Sequence, residues 1–213
     1  MTFKVSEPNF IYIQFISLPL YSNLYSMKQQ DKSVLMDRNV VEFVTVAAEF
    51  CAFLEQIEQR SRKDFVSVAL KILPLLYIKA SMLEHLECDE DAYLESLVTE
   101  DDYNVIRISV AGLLGEQDDY LDVFVEDMKY SDRPVLKTIS EDLADIYQDL
   151  RNFVGIFKMG LEDTMRSSLV AVQQNFEMYW GQTLVNTMRA LHDVKYNQYS
   201  EQDEPAEGED SEE

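Results

Sequence analysis

The feature that most constrains this chain is the spacing of its apolar side chains. Val40, Phe43, Val44, Ala47, Phe50, Cys51, Leu54 and Ile57 recur every three to four residues, which places them on one face of an α-helix. Leu143, Ile146, Tyr147, Leu150, Phe153, Val154 and Phe157 form a second stripe. Met165, Leu169, Val172, Phe176, Trp180, Leu184 and Leu191 form a third. Such stripes are buried against one another. Only 6 Gly and 5 Pro punctuate the 213 residues, too few for the frequent turns of an all-β fold. The pattern predicts an all-α fold, an antiparallel bundle of about five helices forming a single domain over residues 27–200.

Local signals set the expected boundaries. Asn39 and Glu42 read as a capping box opening a helix over about 40–59. Ser61 opens a second, running to about Glu87; it is apolar on nearly every side, which predicts a central position, and Pro74 predicts a kink. A short helix is expected around Ala92–Leu97. Thr99 and Asp102 form a box before a helix over Tyr103–Leu114, stopped by Gly115. Residues 116–137 form an irregular acidic segment in which Tyr120–Val125 fits a strand or a helical turn equally, and Asp132–Pro134 is a turn. Ser140 caps a helix over 141–158 that Gly160 ends, and one last helix covers about 161–196. Gly181, beside the sole tryptophan, costs a helix about 1 kcal/mol relative to alanine. It marks a close approach there by another helix or a ligand.

The two ends differ from this body. Phe10–Leu20 is an apolar run well short of the ~20 residues that span a bilayer, and no A-x-A-like cleavage site follows it. Residues 1–26 read as an upstream or disordered extension ahead of an ordinary start at Met27; a weak secretion signal and a packing strand are the alternatives. Residues 201–213 hold eight carboxylates and no base and read as a disordered acidic tail. The formal charge is −22, and without those eight the body is still −14. That field repels phosphate and argues against direct nucleic-acid binding; it favours basic protein partners. No membrane association is expected. Cys51 lies on an apolar face and Cys88 among carboxylates, so neither reads as a nucleophile, and two lone cysteines fit a reducing, cytoplasmic setting.

Candidate chemistry is sparse. Asp142, Asp145 and Asp149 fall within about 60° on the helical wheel, and three carboxylates on one edge can hold Mg²⁺ or Mn²⁺ for a nucleotide hydrolase. The competing reading is a solvated face, with Asp142 favouring a helix N-terminus. Neither histidine carries the Glu-x-x-His spacing of di-iron bundles, and P-loop, GxGxxG, GxSxG and HExxH patterns are missing. No catalytic set and no bound cofactor is expected. Asn175, Gln182, Asn186, Arg189 and Asp193 share one face of the last helix, with Trp180 and His192 beside them. This polar stripe either binds an anion through Arg189 or docks as a seam on the Asp142/Asp149 edge.

The segments Ser140–Leu150 and Asn175–Gln182, with Leu184-Val185-Asn186 and Arg189-Ala190-Leu191-His192, resemble an uncharacterised, all-helical domain-of-unknown-function family from Bacteroidetes (DUF5063-like). The Val41–Ala47 and Asp118–Leu121 segments fit the same resemblance, which covers about Val40–His192. It implies an all-helical cytoplasmic bacterial protein with an accessory role beside RNA-processing proteins, and it supplies no catalytic residue. The expectation is an acidic helical interaction protein. The alternatives are a divalent-metal nucleotide hydrolase built on Asp142, Asp145 and Asp149, or a nucleic-acid mimic that occupies a basic groove.

Overall fold

The structure, a computed structural model, describes residues 34–85, 94–122 and 135–197. The expectations for residues 1–26, Cys88, Ala92, Val123–Val125, the turn at Asp132–Pro134 and the acidic tail lie outside these residues. Helix α1 is Arg38–Glu55, α2 is Arg62–Ser81 and α3 is Glu100–Leu114. Strands β1 (Asp119–Asp122) and β2 (Val135–Thr138) pair antiparallel, with Leu121 opposite Leu136. Helix α4 is Ile139–Met159, α5 is Glu162–Asn175 and α6 is Gly181–Tyr196. The expected all-α architecture is observed, with the two short strands as its one β element among the described residues.

Caps explain most helix starts. The Asp37 carboxylate accepts from the Asn39 amide and starts α1, in place of the expected Asn39 box. Ser61 caps α2 through the Asp64 amide. Thr99 and Asp102 cap α3 reciprocally, and Gly115 closes it at φ 59°, a conformation that favours glycine. Thr138, not Ser140, caps α4 by accepting from the Glu141 amide. Helix α2 runs through Pro74 and ends at Ser81, earlier than the sequence suggests. Residues 94–97 are not helical. The Asn152 side-chain oxygen there accepts from the Leu97 and Val98 amides at 2.7 and 2.9 Å, fixing the segment to α4.

The central helix is α4. It packs against α1, α3, α5 and α6, whereas α2 packs on α1 and α6. Leu143, Ile146, Leu150, Phe153, Val154 and Phe157 of α4 are all buried. Burying one such side chain is worth about 1.5–3 kcal/mol. The expectation of a central α2 is therefore corrected. Leu73, Leu76 and Ala80 are buried, but Leu75, Ile78 and Met82, on the opposite side of the turn, are exposed. Phe43, Phe153 and Trp180 pack together in the core, with the Phe43 ring centroid 5.3 Å from that of Phe153 and 6.5 Å from that of Trp180.

The last helix is not one uniform rod. Between α5 and α6, Phe176–Trp180 form a single π-helical turn. The Gly181 amide donates to the Phe176 carbonyl, and a Cβ at position 181 would lie 2.5 Å from that oxygen and 2.9 Å from the Phe176 ring. The close approach marked by Gly181 is made by the preceding turn of its own helix.

Candidate functional site

Asp118, just before β1, ties that strand to the start of α4. The Asp118 carbonyl accepts from the Ile139 amide at 2.9 Å. Its carboxylate accepts from the Ser140 amide at 2.8 Å and from the Ser140 hydroxyl at 2.6 Å. A carboxylate at a helix N-terminus also meets the positive end of the helix dipole. Ser140 thus serves Asp118 instead of capping its own helix.

From this anchor, strand alternation decides what faces the bundle. Tyr120, Asp122 and Lys137 turn inward, while Leu121 and Leu136 turn to solvent. The hairpin is inverted relative to the usual rule, with Asp122 and Lys137 against the protein and its leucines in water, while Asp119 at the start of β1 stays exposed. The Tyr120 hydroxyl donates to Asp142 at 2.5 Å. The Thr187 hydroxyl lies 3.2 Å from the same oxygen and 2.8 Å from the Thr183 carbonyl, and shares its one proton between them. Lys137 stands 3.5 Å from Asp122 and 4.0 Å from Asp142. The Asn186 amide donates to Asp122 at 3.3 Å and accepts from Gln182 at 3.2 Å.

The next turns of α4 repeat the device. Asp145 accepts from the phenols of Tyr103 on α3 at 2.8 Å and Tyr179 in the π turn at 2.5 Å. Asp149 accepts from the Asn175 amide at 3.2 Å. Burial pushes Asp142 up to about 6, against the opposing effect of the Tyr120 bond. Burial does the same to Asp149, also to about 6, and raises Asp118. Burial, then the bond to a carboxylate, holds the protons of Tyr103, Tyr120 and Tyr179 more tightly than in free tyrosine.

The three aspartates of the candidate metal site do share one edge of α4. Each is engaged by its own donors from a different element, and no three His, Cys, Asp or Glu side chains among the described residues are grouped as a metal ion requires. What the edge does chemically is accept hydrogen bonds from three phenols, one amide and a threonine.

The polar stripe of the last helix is divided. Asn175 meets Asp149, and Asn186 meets Asp122 rather than α4. Trp180 is buried and its indole nitrogen donates to the Val172 carbonyl at 3.1 Å. Arg189 and His192 are exposed instead and line a cleft of about 520 Å³ between β1 and α6. A π turn puts an extra residue into one helical turn and rotates everything after it by about 100°. A wheel drawn through residues 175–193 at constant pitch therefore misplaces Asn175 relative to residues 182–193; Asn186 and Arg189, both beyond the turn, share an α-helix and differ in burial. Tyr103, Tyr120, Tyr179, Lys137 and Thr187 were not singled out by sequence. Only the two-residue alternation of Tyr120-Leu121-Asp122 hinted at a polar inner face.

No described helix is long and apolar enough to cross a membrane. Among curated proteins no match was found. The chain is 54% identical to protein BF1032 from Bacteroides fragilis, whose crystal structure superposes with a TM-score of 0.71 and covers 79% of this chain and 99% of that one. Residues 34–197 match the family described as Domain of unknown function (DUF5063). The chain belongs to that family.

Proposed function

We propose that the protein is a binding module that captures a basic, amphipathic segment of another protein on the outer face of the β1–β2 hairpin. The observation that carries this reading is the inverted hairpin. Leu121 and Leu136 are cross-strand partners, 54% and 63% exposed, while Tyr120, Asp122 and Lys137 of the same strands are turned inward. An exposed leucine pair loses the stabilisation that burial would give and gains it when a partner covers it. Exposed Asp119 opens β1, exposed Glu116 and Glu141 stand near the hairpin in sequence, and the whole chain carries −22. A partner presenting leucine-like side chains alternating with lysine or arginine meets both features.

The test uses a synthetic peptide of alternating Lys and Leu, titrated into the full chain and followed by amide chemical shifts. The expected result is binding at low salt, with shifts at Leu121 and Leu136, weakened about tenfold at high ionic strength and lost in Leu136→Asp. Equal binding by Leu136→Asp, or no binding at low salt, overturns the reading. Leu136 is exposed and the variant retains the bundle, which far-ultraviolet circular dichroism checks.

A further inference from the structure

The cleft between β1 and α6 shares Leu121 with that docking surface but not Leu136, which does not line it. At about 520 Å³ it has the size of a small-molecule site. Its exposed apolar residue is Leu121, with the buried Ile139, Ala190 and Val194 behind the surface. The rim carries charge of both signs. Arg189 stands on one side, and the carboxylates of Asp119 and Asp193 also line the space.

Arg189 is the unusual member. Acids outnumber bases 40 to 18 in this chain, so a guanidinium has an ample choice of partners. Ion pairs of that kind form elsewhere in the molecule, where Arg38 and Lys79 both take Glu42, and Arg151 takes Glu55. Arg189 makes no such ion pair with a described residue, although it lines the cleft together with Tyr120, Asp119 and Asp193. A planar fork of donors left open beside the exposed Leu121 matches a carboxylate.

We propose that this cleft binds a small zwitterion of the α-amino-acid class. The ligand carboxylate pairs with the Arg189 guanidinium, its ammonium faces the Asp119 carboxylate, and its side chain lies along Leu121. The two acids and the net charge of the chain disfavour a polyphosphate in the same place. A neutral hydrocarbon leaves Arg189 and Asp119 unanswered. Asn197 donates to Asp193 at 2.6 Å and holds that side of the rim.

The test is an amide-shift titration of the full chain with L-leucine, N-acetyl-L-leucine and L-leucinamide, each to about 10 mM, a range that detects millimolar affinity. Leucine is expected to shift residues 119–121 and 189–194. The acetyl compound lacks the ammonium and the amide lacks the carboxylate, so each binds at least about tenfold more weakly. Arg189→Ala removes the leucine shifts while Leu136→Asp leaves them unchanged. No shift with any of the three compounds overturns the proposal. So does equal binding of all three, which leaves only an apolar recess, and so does undiminished binding by Arg189→Ala.

Discussion

Tyr120 shows how much one hydroxyl carries. Its phenol donates to Asp142, a carboxylate that is 4% exposed. Tyr120→Phe keeps the ring and removes the donor, so Asp142 is left with Thr187 and the more distant Lys137. An ionised carboxylate that loses a buried donor costs about 1–3 kcal/mol. The penalty falls on the charged form, so the variant is expected to be destabilised at pH 8 and much less so at pH 5. Chemical denaturation at the two pH values checks this, and an equal loss at both counts against the bond. Asn152→Ala makes a second case. It leaves the Leu97 and Val98 amides without their acceptor and is expected to cost about 1–3 kcal/mol. Faster hydrogen exchange at those two amides is the specific readout.

At the scale of the element, Gly181 reverses the ordinary rule for glycine in a helix. Helix propensity alone says that Gly181→Ala adds about 1 kcal/mol of stability. The π turn says the opposite, because the new methyl group meets the Phe176 carbonyl at 2.5 Å, and a backbone oxygen does not give way as a side chain does. We expect Gly181→Ala to lower stability by about 2 kcal/mol or more. A melting temperature above that of the native chain refutes the π-turn account. This element also shows where reading from sequence stops. The apolar stripes were legible because burial and helical pitch share one period. Trp180-Gly181 signalled a crowded turn but not that its neighbour was Phe176, five residues back. Ser140 carried a normal capping signature, and Asp118, far earlier in the chain, claimed its hydroxyl. Thr138 then took the cap. Asp142, Asp145 and Asp149 were legible as one edge, but their partners arrive from α3, the hairpin, α5, the π turn and α6, which no local spacing records.

For the molecule as a whole, the buried acids set the response to pH. Asp142 and Asp149 titrate near 6 when folded, above an ordinary value of 3.8. Between those values the folded chain binds more protons than the unfolded chain, so stability falls as pH rises through that window. Glu42, half-buried beside Lys79 and Arg38, and the exposed Asp102 shift downward and act in the opposite sense. The expected outcome is a chain more stable at pH 5 than at pH 7.5, by about 1 kcal/mol per buried acid once solvent screening is allowed for. Asp149→Asn should flatten the profile and raise stability at pH 7.5. Thermal melts across the range measure both, and a profile that rises from pH 5 to pH 7.5 refutes the assignment.

Four phenols, those of Tyr103, Tyr120, Tyr147 and Tyr179, each donate to a carboxylate. All four give up their protons later than free tyrosine does. The fold therefore carries its own optical gauge. In an alkaline titration the near-ultraviolet phenolate band will grow in two waves, and the late wave reports, without any label, when these contacts come apart.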